Sequence, residues 1–257
     1  MATKLYDDII FGPVHSRRLG LSLGVNLLPT DCKLCSFNCI YCECGWTEVG
    51  HRPRFNKRED VSRMLAAKLD EMAAAGTPPD VITFAGNGEP TLHPEFEEII
   101  DDVLHIRDRH APRSKVSVLT NGTMIGRESV RRALMRVDNN IVKLDSAFDD
   151  TVRLIDNPMG SYSVAATVEE MKKFDGSLII QTMFLRGTYN GRTVDNTTDR
   201  EVDAWLELVA AVKPRQVMIY SIDRDTPAPD LHKVSREEME KIANRVRALG
   251  TECSVAG

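Results

Sequence analysis

The stretch DCKLCSFNCIYCECGW, residues 31–46, holds Cys32, Cys35, Cys39, Cys42 and Cys44, five of the chain's six cysteines; the sixth is Cys253. Thiols at this density pair as disulfides, bind zinc, or hold iron and sulfide. Cysteines so crowded cannot all pair locally. The N-terminus, MATKLYDDIIFGP, has no apolar signal-peptide core, and no apolar run approaches the ~18 residues of a membrane span. A cytoplasmic, reducing location is therefore expected, where structural disulfides are rare. Zinc would need four ligands, and Cys32/Cys35 with Cys39/Cys42 supply two C-x2-C pairs. Only three residues separate those pairs, which makes a very tight knuckle. An iron–sulfur cube asks for thiolates that reach different irons, and Cys35-x3-Cys39-x2-Cys42 on one loop meets that need. Three ligands leave one iron open, the condition for a metal that binds and activates something else.

Such a loop needs a scaffold, and the remaining sequence alternates short apolar runs with amphipathic helices. Strands are expected at 22–28, 81–85, 115–120, 141–145, 177–184 and 216–221, most of them apolar nearly throughout, as parallel strands covered on both faces are. Helical patterns follow at 59–75, 94–110, 127–137, 163–174, 199–212 and 235–249, with a short extra turn at 149–156. Ser235 and Glu238 form a capping-box pattern, and Gly250 is a stop. Six strand–helix units joined by right-handed crossovers give a parallel sheet, either an open doubly wound one or a partial barrel. Either places its active site at the C-terminal strand ends.

Those ends carry polar and glycine-bearing loops. The first leads to the cysteines and the second to Gly86-Asn87-Gly88-Glu89-Pro90; the third reaches Asn121-Gly122 and the fourth Lys143 and Asp145. The fifth carries Gln181, Met183 and Arg186, and the sixth ends in Tyr220–Asp223. Lys143 and Asp145 alternate and so share one face, a charged pair in an apolar run that favours function over packing. The glycine loop read alone is a turn; beside a cysteine triplet it reads as a binding loop.

Cys35-x3-Cys39-x2-Cys42, with Tyr41 before the last cysteine, resembles the signature of the radical S-adenosylmethionine superfamily. The resemblance runs from about Gly12 to Leu249, with GNGEP where that superfamily has its glycine–glycine–glutamate loop. PVHSRRLGLSLGVNLLPTDCKLCSFNCIYC, FAGNGEPTLHP and VLTNGT look more narrowly like the iron–sulfur oxidoreductases related to the wyosine-forming tRNA enzymes. Asn87 between the glycines departs from the simplest loop pattern. The resemblance implies a partial (β/α)6 barrel in one domain, 1–257, and a [4Fe–4S] cluster on Cys35, Cys39 and Cys42. It implies S-adenosylmethionine on the open iron, cleaved by one electron to methionine and a 5′-deoxyadenosyl radical that takes hydrogen from substrate. Tyr41 would pack near the adenine, and Gly86, Asn87, Gly88 and Glu89 would receive the methionine end. Asn121, Lys143 and Asp145 would serve the ribose or the carboxylate. An electron donor such as flavodoxin or ferredoxin is implied as partner.

The substrate is left open among an RNA base, a peptide or protein, and a small metabolite. A net charge of −5 and a pI near 5.7 argue against a broad nucleic-acid surface while leaving room for a local basic patch, and the second cysteine triplet on which the known wyosine chemistry looks dependent has no counterpart in the 34 residues before Cys35. An open barrel side would admit a macromolecule, unless residues 226–257 close it. The competing reading is a zinc- or cluster-stabilised binding module without catalysis. Arg17-Arg18 reads as a solvated pair or as a phosphate or carboxylate site. His15, His93 and His232 lack metal spacing, and Cys253 reads as a structural thiol.

Overall fold

The computed structural model describes residues 4–16, 18–47 and 54–256; Arg17 lies outside them. In chain order the elements are β1 (Ile10–Ser16), β2 (Gly20–Val25), α1 (Arg58–Ala74), β3 (Val81–Phe84), α2 (Phe96–His110), β4 (Lys115–Thr120), α3 (Glu128–Leu134) and β5 (Asn139–Lys143). There follow α4 (Asp149–Ile155), α5 (Val164–Lys172), β6 (Ile179–Tyr189), β7 (Arg192–Asp195), α6 (Asp199–Val212), β8 (Gln216–Ser221), β9 (Leu231–Lys233), α7 (Arg236–Ala248) and β10 (Glu252–Ala256). The sheet order is β1-β2-β3-β4-β5-β6-β8-β10. All neighbours from β2 to β10 are parallel, and β1 runs antiparallel to β2. Among the described residues no ladder joins β1 to β10, so the parallel-dominated sheet is a half-barrel open on that side.

The six expected strands and six helices are all present, with ends moved by a few residues. Their outward side chains make the main core: Leu23, Val25, Ile82, Phe84, Val118, Val142, Ile180, Val217 and Ile219 meet Val61, Leu65, Leu69, Ile99, Val103, Trp205 and Val209 of the helices. At about 1.5–3 kcal/mol per fully buried large apolar side chain, this layer drives the fold. The inward face is mixed. Ile141, Ile179 and Met218 pack there with Leu19 and Leu119. Beside them Ser22 and Thr83 share a 2.8 Å hydroxyl contact, and Asn139 donates to the Ser117 hydroxyl at 2.8 Å. Hydroxyls and amides lining the interior leave it able to receive a polar molecule.

Four strands lie outside the sequence expectation. β1 contains Gly12-Pro13 and a register shift between Phe11 and Val14. Proline is tolerated there because β1 is an edge strand. β7 and β9 are short and both pair with the outer end of β6, which runs five residues beyond the expected end at 184. β10 follows α7 and adds a seventh parallel strand beside β8. The C-terminal segment thus extends the half-barrel. Just before β9, Ala228 N–H donates to the Ile40 carbonyl at 3.2 Å, so the same segment also lies against the cysteine loop. The capping box at Ser235 forms as expected, and Gly250 ends α7 with φ +83°. No helix of the described residues is long and apolar enough to cross a membrane.

Candidate active site

The cysteine loop leaves the C-terminal end of β2 and is stitched to the loop after β3. Leu34 N–H donates to the Asn87 carbonyl at 2.8 Å, Glu89 N–H donates to the Leu34 carbonyl at 3.1 Å, and Leu34 and Gly88 form an isolated parallel bridge. Gly88 has φ +139°, and a Cβ there would sit 1.8 Å from the Leu34 carbonyl oxygen. Glycine is required at that position both for its dihedral and for the close approach. Gly88→Ala is expected to destabilise the protein by about 3 kcal/mol or more, measured by urea unfolding under nitrogen. Gly86 is equally constrained, because an added Cβ would meet the Asn26 amide oxygen at 2.6 Å.

Asn87 holds the loop from behind. Its side-chain nitrogen donates to the carbonyls of Tyr6 and Pro29 at 3.0 and 2.8 Å, and its oxygen accepts from Tyr6 N–H at 2.8 Å. The departure from a plain glycine loop therefore has a structural use, tying in the N-terminal segment. Glu89 is 2% exposed. Its carboxylate accepts from Thr91 N–H and hydroxyl, from the Thr120 hydroxyl at 2.7 Å, and from Asn121 N–H at 2.6 Å. Burial raises its pKa, and these donors oppose the rise. Glu89 thus joins the ends of β3 and β4.

Cys35, Cys39 and Cys42 lie on this loop with Asn121 near the first of them. Phe37 N–H and the Asn121 amide donate to the Cys35 sulfur at 3.4 and 3.6 Å. Burial and the neighbouring Glu89 carboxylate push the Cys35 thiol up to about 12. Cys42 goes the other way, down to about 5, through a hydrogen bond from Cys44 and the nearby Lys33 ammonium. Lys33 is 4% exposed and donates to the Gly45 carbonyl at 2.7 Å. Burial works against its charge, but the sulfurs of Cys42, Cys35 and Cys39 more than offset this and raise its pKa. The ammonium thus favours the thiolate of Cys42, and opposes only in part the burial that holds the Cys35 thiol up; burial and Asp156 likewise raise Cys39 well above its ordinary value. Cys44 also donates to the Gly86 carbonyl at 3.3 Å. The described cysteines form no disulfide.

Cys39 opens onto a buried polar network. Its thiol donates to the Asp156 carboxylate at 3.3 Å. Asp156 also accepts from the Tyr41 hydroxyl at 3.2 Å, and Tyr41 further contacts Asp145 and Lys143. The Lys143 ammonium lies 3.1 Å from Asp145 and 3.8 Å from Asp156. The expected proximity of Lys143 and Asp145 is therefore seen. Asp145 is fixed in turn by Met183 N–H at 2.9 Å, while Asn196 donates to its carbonyl at 2.9 Å. Trp205 and Thr182 both donate to the adjacent Leu144 carbonyl. Burial and the Asp145 charge push Asp156 up to about 8. Burial also raises Tyr41 well above the usual phenol value. Tyr41, expected to pack near an adenine, has its hydroxyl in this network and also borders the cavity under the cysteine loop.

Lys33, Asp156 and Asn196 were not expected at the site. Lys33 had a legible signal, a lysine between two cysteines of one loop. Asp156 and Asn196 had none, since each meets the site only through the fold.

A cavity of about 510 Å³ lies under the cysteine loop, lined by Tyr41, Cys42, Cys44, Gly86, Met183 and Tyr220 among others. A larger one, about 990 Å³, opens at the other end of the barrel among the starts of β3, β4, β5 and β8. Chemistry in a parallel barrel belongs to the strand C-termini, so the smaller cavity is the candidate site. Among the described residues no three His, Cys, Asp or Glu side chains converge on a single metal ion. A four-iron cluster does not ask for that convergence, since each thiolate binds a different iron.

The described superfamily model, Radical SAM superfamily, matches residues 32–200. A protein of Brachyspira hyodysenteriae named GTPase Obg is 31% identical over 98% of this chain, which spans 35% of that protein's length. A UPF0026 protein of Synechocystis is 32% identical over 85% of this chain and is itself 77% covered. A radical SAM methyltransferase structure from Sphaerobacter thermophilus superposes with TM-score 0.67 at 17% identity, covering 91% of this chain and 65% of that one. TYW1 with a lysine-pyruvate adduct bound gives TM-score 0.61 at 17% identity, covering 88% and 73%. The half-barrel, its cysteine loop and the family match agree, and the chain belongs to the radical SAM superfamily of enzymes.

Proposed function

We propose that Cys35, Cys39 and Cys42 hold a [4Fe–4S] cluster with one iron open to S-adenosylmethionine, and that the substrate's hydrogen is abstracted in the cavity beneath. When bound, the cluster and cofactor supply an electron and a 5′-deoxyadenosyl radical. The observation that carries this reading is the Leu34–Gly88 bridge, which locks a three-cysteine loop against a glycine loop at the C-terminal strand ends. The donor set fits. Cys35 receives two N–H donors, and the buried Lys33 ammonium is drawn electrostatically to all three sulfurs, the hydrogen bonding and charge that a thiolate-held cluster calls for.

The chain's own residues hold and orient. The backbone of Gly86 and Gly88 offers carbonyls to the amino group of the cofactor, and Glu89 sets the shape of that loop from its buried position. Asn121 keeps Cys35 and the end of β4 in register. Lys143 and Asp145 at the end of β5 face the ribose or carboxylate, and Tyr41 aligns the pair. Half-barrel walls exclude water from the reacting centre. An electron donor of the flavodoxin or ferredoxin kind delivers the electron.

The test is anaerobic reconstitution with iron and sulfide, then EPR of the reduced protein with and without S-adenosylmethionine, and chromatography for 5′-deoxyadenosine. A signal that shifts with the cofactor, together with released deoxyadenosine, supports the reading. A colourless protein holding zinc and making none would make the loop a structural site on a binding module. Lys33→Met gives a finer check: loss of iron to a chelator should quicken by about 10–100-fold, followed by the fading of the cluster absorbance.

A further inference from the structure

The barrel interior contains two buried nitrogen donors without an acceptor among the described residues, Nη1 of Arg18 and Nε2 of Gln181. Arg18 stands in the turn between β1 and β2, where the parallel strands begin. Its guanidinium lies 4.5 Å over the ring of Tyr220, close to the far end of β8. The side chain therefore rises inside the barrel, between the larger cavity at the strand starts, which it also borders, and the cavity under the cysteine loop, which it lines with Ser22, Thr83, Leu119 and Met183. Gln181 is 9% exposed and lies in register with Lys143 on β5 and Met218 on β8. Met218 packs with Leu19 in the interior, whereas Ile180, the neighbour of Gln181, turns outward into the main core. Gln181 thus belongs to the inward face.

A guanidinium with a buried N–H that meets no acceptor calls for an anion. Arg58 has Asp102 at 2.6 Å and Arg186 has Glu238 at 2.8 Å. Among the described residues Arg18 has only the face of Tyr220, which attracts it without neutralising it. The planar fork suits two oxygens of a carboxylate or a phosphate, and the amide N–H of Gln181, on the inward face of β6 two residues before the cavity-lining Met183, suits another oxygen of the same group. A volume of about 510 Å³ is that of a small-molecule site.

We propose that this cavity binds a small substrate ending in an anionic oxygen group, carboxylate or phosphate, clamped by Arg18 with Gln181 as second donor. The body of the substrate then lies against Tyr220, Leu119 and Met183, below the cysteine loop. The proposal rests on the cluster reading only in taking the cavity for the substrate chamber. It assigns Arg18 the anion-binding role that the sequence left undecided for its arginine pair.

Calorimetric titration of the reconstituted chain with acetate and with inorganic phosphate tests it. At least one probe should bind, with affinity reduced about tenfold or more in Arg18→Gln and about threefold or more in Gln181→Met. Binding of phosphate alone identifies a phosphorylated substrate, and of acetate alone a carboxylic acid. Far-UV circular dichroism separates lost binding from lost folding, and if Arg18→Gln does not fold, Gln181→Met decides. The proposal is overturned if neither probe binds, or if binding is unchanged in the folded variants. Probe binding in a chain that holds no cluster would sink the cluster reading and leave this one standing. Cofactor cleavage without Arg18-dependent anion binding would do the reverse.

Discussion

Alanine at any one of Cys35, Cys39 or Cys42 is expected to lower 5′-deoxyadenosine formation by more than about 100-fold, together with the iron content. In the proposed assignment the fourth iron is given to the cofactor, so two remaining thiolates would not hold the cube, and loss of any one ligand would empty the site. The three positions are not equivalent in the fold. Cys39 is buried against Asp156, so its loss also removes a hydrogen-bond donor to a buried carboxylate. Cys35 and Cys42 are only half-buried, and their substitution should leave the apoprotein's melting temperature nearly unchanged. The control is Cys32→Ala with Cys253→Ala. Cys253 lies on β10, packed into the main core and remote in sequence from the loop. That double variant should still take up four irons. An active single variant of the triplet, or iron loss in the double one, would remove the proposed ligand assignment.

Local chemistry was readable from the sequence, and long-range chemistry was not. The cysteine spacing, the glycine loop and the strand–helix alternation each lie within a few neighbouring residues, so pattern alone located them. Residues whose role depends on closure of the barrel left no trace. Asp156 reaches Cys39 across 117 positions, and Asn196 reaches the Asp145 carbonyl across 51. At the end of α4, Asp156 looks like any acidic residue closing a short helix. β1 was hidden because Gly12 and Pro13 break the strand pattern, which only an unpaired edge can accept. β10, five residues long, owes its pairing to β8 rather than to any strong local preference. Asn87 shows the opposite case: an evident position in the motif whose side chain serves the scaffold, through Tyr6 and Pro29.

Lys143→Met should be the most destabilising substitution in the site, costing about 3–5 kcal/mol in urea unfolding of the anaerobic protein. Asp145 and Asp156 are 2% and 1% exposed, and among the described residues Lys143 is the only cation in an ion pair with either. Methionine nearly preserves the volume, so a cavity does not account for the loss. What remains is two carboxylates in a dry interior with Tyr41 between them. The pH dependence distinguishes this cause from a packing defect. Burial and Asp145 already raise Asp156 to about 8, and Lys143, ahead of the hydrogen bond from Cys39, is the main group that holds it down. Without the lysine the folded-state value rises further, while the unfolded value stays near 3.8. The folded state then binds a proton that the unfolded state does not, throughout the range between those values. Stability is therefore retained at low pH and lost as pH rises through the folded-state value. The deficit of Lys143→Met relative to the parent chain should shrink at pH 5.5 and be largest at pH 8.5. Adding Asp145→Asn removes one of the stranded charges and should restore part of the loss. A deficit that is flat with pH, or a double variant no better than the single one, would show that Lys143 acts through packing rather than charge.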